Sequence, residues 1–292
     1  MTARAVQARS ASVPIRVPAV ASLALKRLFS PGDVNATVLG ASSHAVWLLA
    51  GGEVVVVSTR DATRLPNSVE VAARSGAGLF DSVTHGESVV VGRNALEFGS
   101  FIVELVRWWD PRPALPSASI SDVASAIRGL PHTVPAINSG VLRSALAAGS
   151  PDHLVGASAG LLGRGPGLTP EGDDVLAGAL AAIRTLGTAL GSRPALAMLD
   201  ASQAALVDAA NDRTTTFSAA LISCAARGEV AAPAGIFLRA LAGRGHVGSS
   251  HRDLLRVGHT SGPALAAGIV LGALSLIEPH ATPTEVSNDR SS

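Results

Sequence analysis

Three polar segments in the C-terminal half carry the residues able to do chemistry. The first is Gly163-Arg164-Gly165-Pro166-Gly167-Leu168-Thr169-Pro170-Glu171-Gly172-Asp173-Asp174. Thr169 has a helix-capping side chain and Pro170 suits a first helical position, so a glycine-rich loop leads straight into a helix start. Unpaired N–H groups there attract anions. Gly163, Gly165, Gly167 and Thr169 are therefore candidate contacts for a phosphate or carboxylate. The segment is not a P-loop, because the Gly-Lys-Ser/Thr ending is missing, nor a dinucleotide fingerprint, because Pro170 and the acids replace the usual continuation. Adjacent helical residues point about 100° apart, so Asp173 and Asp174 cannot grip one ligand as a pair. They would divide the work: one accepts a proton from a substrate nitrogen while the other orients an arginine or a metal-bound water. The plainer reading is that Glu171, Asp173 and Asp174 complement the positive end of the helix dipole.

The second segment is Asn211-Asp212-Arg213-Thr214-Thr215-Thr216-Phe217-Ser218, read as a polar helix start. One hydroxyl suffices to cap a helix, so three threonines after an arginine exceed the local need and suggest ligand contacts from Arg213, Thr214 and Thr215. β-Branched residues filling a turn account for them equally well. The third is Gly258-His259-Thr260-Ser261-Gly262, between a helix end and an apolar helix. His259 is the best candidate for an acid or base near neutral pH, with Thr260 and Ser261 beside it. A loop histidine bonded to a backbone carbonyl is its structural alternative.

Composition narrows the chemistry further. Of 292 residues, 23 are Lys or Arg and 22 are Asp or Glu, so no whole-molecule field draws in nucleic acid or an acidic membrane. Any anion must be held locally. Cys224 is the only cysteine, which excludes an internal disulfide framework and a thiolate-rich zinc site and suits a reducing cytoplasm. Lys26 is the only lysine and tyrosine is absent, closing Schiff-base, P-loop lysine and tyrosine-acid chemistry. The run from Val17 to Leu25 is short and ends at Lys26-Arg27, so it does not read as a secretory signal. Ala264 to Ile277 falls short of the roughly 20 residues a membrane span needs and reads as a buried core helix.

The elements that must position these residues suggest an α+β fold, with a small β-rich N-terminal domain ahead of a predominantly helical C-terminal domain. We expect a flexible tail over 1–16, a β-rich domain with a leading helix over 17–112, a helical domain over 117–280 and a flexible tail over 281–292. Ala45 to Leu49, a Gly51-Gly52 turn and Glu53 to Ser58 read as a hairpin, with further strands at Ser88 to Val91 and Phe101 to Val106. Trp108-Trp109-Asp110-Pro111 and the prolines that follow break the periodicity. Helical spacing then places one helix after Pro170 and others at Leu196 to Ala210, Phe217 to Arg227, Ala234 to Ala242, His251 to Val257 and Ala264 to Ile277. Arg184 is the only charge along the body of the first of these. In the last, Ala264, Gly268 and Gly272 offer close approach to a neighbour.

These motifs resemble the AllH-type family, a subunit of the oxamate carbamoyltransferase system. The strongest likeness is Gly163 to Gly178. Thr214 to Ala226 with Gly228-Glu229 resembles the family's Thr-rich helix, and Gly258 to Gly272 its terminal Gly-His-Thr-Ser-Gly helix. Ser43-His44, Pro66-Asn67-Ser68 and Trp109-Asp110-Pro111 resemble its weaker N-terminal marks, adding Ser43, His44 and Asn67 to the candidate binding residues. Where many relatives carry a basic stretch, this chain has Ala45-Val46-Trp47, which takes away an anion contact from that strand.

The resemblance implies carbamoyl transfer between oxamate and phosphate, phosphorolysing oxalurate to carbamoyl phosphate in allantoin (purine) breakdown. It implies partner subunits too, one of the acyl-CoA synthetase-related FdrA type and one of the AllG type, in a cytoplasmic complex without nucleic acid or membrane. Asp173, Asp174 and His259 are the candidate catalytic residues. No organic cofactor and no resident metal is called for, although two carboxylates beside a phosphate need neutralising by arginine or by a divalent cation such as magnesium. Two rival classes stay open: a noncatalytic assembly or anion-sensing subunit, and a transferase or hydrolase acting on another amide or ureido acid.

Overall fold

Residues 15–109 alternate side chains with the period of a strand, and the consequence is a sheet that closes on itself. The computed structural model describes residues 14–30, 32–131 and 139–278. Its strands are β1 (Ile15–Ser22), β2 (Val34–Ala41), β3 (Ala45–Ala50), β4 (Glu53–Ser58), β5 (Ser68–Val71), β6 (Ser88–Gly92), β7 (Ala95–Glu97) and β8 (Phe101–Trp109). They form a closed barrel in the order β1-β5-β4-β3-β2-β6-β7-β8. The register fixes what fills it: Val38 faces Leu48 and Leu48 faces Val55, while Ala36 faces Val89 and Val91 faces Leu96, itself opposite Val103. Ala19 faces Val71 and Ala21 faces Val69 in the same way. All of these side chains are buried. Period-two alternation therefore puts one aliphatic set inside the barrel.

This overturns the α+β expectation of a small β-rich domain with a leading helix. The N-terminal region is a closed eight-stranded barrel, and the segment expected to lead as a helix is β1, followed by a short 3-10 turn at Leu23–Leu25. Pro14 and Pro18 stand four residues apart, which a helix tolerates poorly, and Val17, Ala19 and Ala21 bury alternately. The hairpin at 45–58 forms around Gly51-Gly52, and the strands at 88 and 101 continue to Gly92 and Trp109. Of the expected tails, 1–13 and 281–292 lie outside the described residues, and Ile15 and Arg16 already belong to β1.

A second compact unit comprises residues 109–292 together with the short segments Ser22–Leu25 and Thr63–Ser68. Its helices among the described residues are α1 (Ile120–Arg128), α2 (Gly140–Ala148), α3 (Pro151–Ala159), α4 (Glu171–Leu190), α5 (Arg193–Arg213), α6 (Thr216–Ala226), α7 (Ala232–Leu241), α8 (Val247–Leu255) and α9 (Ser261–Ile277). Helix α5 runs on to Arg213, so Asn211, Asp212 and Arg213 end one helix instead of opening the next.

The centre of this unit is α4, buried almost all round from Gly172 to Gly187. It lies against α9 at backbone distance. A Cβ on Gly268 would meet the Val175 carbonyl at 2.0 Å, one on Gly272 the Ala179 carbonyl at 2.5 Å, and one on Gly178 the Leu265 carbonyl at 2.3 Å. Contacts advance together along both helices, from 175 and 268 to 179 and 272, so the two run parallel with their amino termini at the same end. No helix of the described residues is long and apolar enough to cross a membrane, α9 included.

Gly268→Val forces the two backbones apart and is expected to cost more than about 3 kcal/mol, the upper end of overpacking penalties. Gly187→Ala meets only Leu196 and Leu276 side chains at 3.5 Å and beyond, so helix propensity makes it neutral or stabilising by up to ~1 kcal/mol. Urea denaturation of the two variants checks the contrast.

Candidate functional site at three helix starts

Parallel packing of α4 and α9 sets Thr169 beside Ser261, and their hydroxyls share a hydrogen bond of 2.8 Å. The start of α6 joins them from the other side. Thr215 Oγ1 donates to the Leu168 carbonyl at 2.6 Å and accepts from the Ser218 N–H at 3.0 Å, capping α6. Asp173, 1% exposed, completes the junction. Its Oδ1 accepts from the Gly163 N–H at 2.8 Å, and its Oδ2 accepts a short bond from the Thr214 hydroxyl. Gly163 is required at this point: its φ is +73° and a Cβ would stand 2.4 Å from the Arg213 carbonyl. The starts of α4, α6 and α9 thus meet around the loop 163–170.

Asp174 is the anomaly. It is 7% exposed, and its Oδ2 is fully enclosed without a hydrogen-bond partner among the described residues. Burial pushes its carboxyl up to about 7. The Ser261 and Thr169 hydroxyls oppose that shift, while the charges of Asp173 and Glu171 add to it. Both oxygens of Asp173 are committed to the chain, so Asp173 holds the junction together and Asp174 is the carboxyl able to change its protonation near neutral pH.

The helix starts differ from the expected cradle of free amides. The N–H of Gly172 donates to the Arg164 carbonyl, and those of Asp173 and Asp174 donate to the Pro170 carbonyl. At α9 the Gly262 N–H donates to Val257, and Pro263 has none to offer. Helix α4 begins at Glu171 with no side-chain cap, because the Thr169 hydroxyl is turned to Ser261. The Gly163 amide belongs to Asp173. What stays open is the exposed loop itself: among the described residues no hydrogen bond engages the amides of Gly165 or Gly167, both at positive φ.

Of the other sequence candidates, Arg213 and Arg164 are exposed near the junction, the first through the contact of its carbonyl with Gly163. His259 and Thr260 are exposed, and among the described residues His259 makes no hydrogen bond, so it is not joined to either aspartate. Ser43 and His44 lie in the exposed β2–β3 turn of the barrel, where Ser43 Oγ and His44 Nδ1 are 3.0 Å apart. Asn67 is buried in the segment Thr63–Ser68. Among the described residues no group of three or more His, Cys, Asp or Glu is arranged to hold a metal ion. The Thr169–Ser261 bridge leaves no trace in the residue pattern beyond hydroxyls at two helix starts.

The class that this junction points to is a Gly-Asp-Asp site built on helix starts. Residues 161–273 match the family model of the oxamate carbamoyltransferase subunit AllH, the family that the motifs resemble. That range contains the whole junction and leaves out Ser43, His44 and Asn67. No solved structure matches the chain.

The Asp174 carboxyl keeps its proton in the folded chain up to about pH 7 but loses it near 3.8 when unfolded. Its contribution to stability is therefore complete below pH 3.8 and is lost as pH rises through 7. Asp174→Asn should match the parent near pH 4 and exceed it at pH 8.5 by on the order of 1–4 kcal/mol, measured by urea denaturation at the two pH values.

Proposed function

We propose that the protein is a subunit of an oxamate carbamoyltransferase-type complex, acting in carbamoyl transfer between oxalurate and phosphate during allantoin degradation. The observation that carries the reading is the enclosed Asp174 carboxyl, titrating near neutrality behind a hydroxyl pair, within the range that matches the AllH model. In the step we assign, a phosphate oxygen attacks the carbamoyl carbon of oxalurate and the bond from that carbon to the oxamate nitrogen breaks. The departing nitrogen takes one proton, and the phosphate hydroxyl gives one up, so no oxidant or second reactant is needed. Asp174 supplies the first proton through the Ser261 and Thr169 hydroxyls and recovers the second by the same route. It is a positioning and proton-storing residue, with the hydroxyls facing substrate.

The remaining residues take simpler parts. The open amides of Gly165 and Gly167 suit an anionic oxygen, and Arg164 and Arg213 suit the charge of phosphate or of the oxamate carboxylate. Magnesium is the alternative counter-ion. His259, exposed two residues ahead of Ser261, is our candidate for exchanging the proton with solvent. Partner subunits of the FdrA and AllG types would complete the substrate pocket. Leu168, 57% exposed at the loop tip beside Thr215, supports a partner contact at this place, and it favours the second reading, in which the loop serves assembly alone. The buried Cys224 thiol, which accepts from Arg227 Nη2 at 3.4 Å and is in no disulfide, accords with a reducing cytoplasm.

Phosphorolysis of oxalurate by the reconstituted complex tests both readings. The parent rate should fall about tenfold per pH unit above roughly 7, where Asp174 loses its proton. Asp174→Asn should lower kcat about 100-fold or more and abolish that alkaline limb, with assembly intact. Full activity and an unchanged pH profile in an assembled Asp174→Asn complex would reject the catalytic reading in favour of assembly.

A further inference from the structure

Helices α7 and α8 pack against each other, and a histidine sits in the contact. The His251 ring of α8 stands 5.3 Å from the Phe237 ring of α7, tilted by 43°, and the two residues are 2% and 0% exposed. Its Nδ1 is enclosed without a hydrogen-bond partner among the described residues. A hydroxyl stands next in the chain, but Ser250 Oγ donates to the His246 and Val247 carbonyls. A ring nitrogen left in this way costs stability, and a proton added to the ring would bury a charge where no acceptor meets it.

Neighbouring charges do not offset this. On α8 itself Arg252 and Asp253 are exposed, as are Arg244 and His246 before the helix and Arg256 after it. Helix α7 carries one ionisable residue, Arg239, whose Nη1 lies 3.9 Å from where a Cβ on Gly235 would stand. Helix α9, which also packs on α8, has no ionisable side chain. Burial alone accordingly moves the His251 imidazole below its ordinary 6.5.

One turn beyond His251, the end of α8 meets the start of α9 at backbone distance. A Cβ on Gly262 would stand 2.2 Å from the Leu254 carbonyl and 2.8 Å from that of Val257, to which the Gly262 N–H donates. Ser261, next to Gly262, is the residue whose hydroxyl meets Thr169. We infer that α8 is an acid-released lock on the Gly-Asp-Asp junction: the uncharged His251 ring keeps the helix seated, and a proton on that ring unseats it and draws Ser261 away from Thr169. The effect on transfer rests on the part given to Ser261 above, whereas the unseating does not. The sign follows from linkage. An imidazole harder to protonate in the seated helix than in the freed one takes nothing from stability above 6.5. Below that, each pH unit favours the freed form by about tenfold, until the seated form takes up the proton too.

Amide hydrogen exchange of the full chain tests the inference, carried out with Asp174→Asn because that carboxyl would otherwise titrate in the same range with the opposite sign. Neither substrate nor partner enters, so an inactive complex would count against the transfer reading alone. Protection of the Leu254, Leu255 and Gly262 amides, corrected for intrinsic exchange, should fall about tenfold between about pH 7.5 and 5.5, while Leu199 and Leu206 of α5 keep theirs. Adding His251→Leu should make α8 protection independent of pH, and His251→Gln serves the same purpose if the leucine variant fails to fold. In the parent, the ring resonances of His251 should show no protonation down to about pH 6. Protection at α8 that does not change with pH, the same loss after His251 is replaced, an equal loss in α5, or a His251 ring that titrates at or above its ordinary value would overturn the proposal.

Discussion

Backbone contact between α4 and α9 is the constraint on which the helical unit depends. Two parallel helices place their positive ends side by side, an arrangement that electrostatics disfavours and that needs compensation. Gly178, Gly268 and Gly272 bring the axes close enough for dispersion contacts along the whole length to hold the pair. The acids at the start of α4 then supply negative charge where two helix ends meet. Burial of Asp173 and Asp174 follows from that geometry, and so does the unequal treatment they receive.

Neighbouring carboxylates acquire different chemistry because the chain spends its donors on one of them. Asp173 takes the Gly163 amide and the Thr214 hydroxyl. Asp174 faces a hydroxyl pair already bonded to itself and keeps one oxygen without a donor. Burial with few donors raises the Asp174 carboxyl. The division of labour between the two is thus a property of the α6 and α9 starts, not of the Gly-Asp-Asp sequence.

What could be read from the sequence was local. The hairpin around Gly51-Gly52 declared itself by alternation, and the helix after Pro170 by spacing and by its acids. Closure of the barrel did not, because pairings such as β2 with β6 and β1 with β5 join segments that carry no mark of each other. The run from Val17 to Leu25 was misleading for a related reason: apolar residues in succession look alike in a helix and in a strand until burial parity is known. At the site, residue types pointed to the loop and its two aspartates. The hydrogen bonds that use up the helix-start amides were invisible, and so was the exposure of His259, since both depend on where distant segments end.

The Asp173 latch reaches across ten residues to Gly163 and forty-one to Thr214, and the Thr169–Ser261 bridge spans ninety-two. None of these bonds exists in an isolated helix. A compact but loosely packed state would keep its helical content while the latch and bridge were broken. Integrity of the junction therefore reports on finished tertiary packing, and a preparation judged sound by circular dichroism in the far ultraviolet alone has not been shown to possess it.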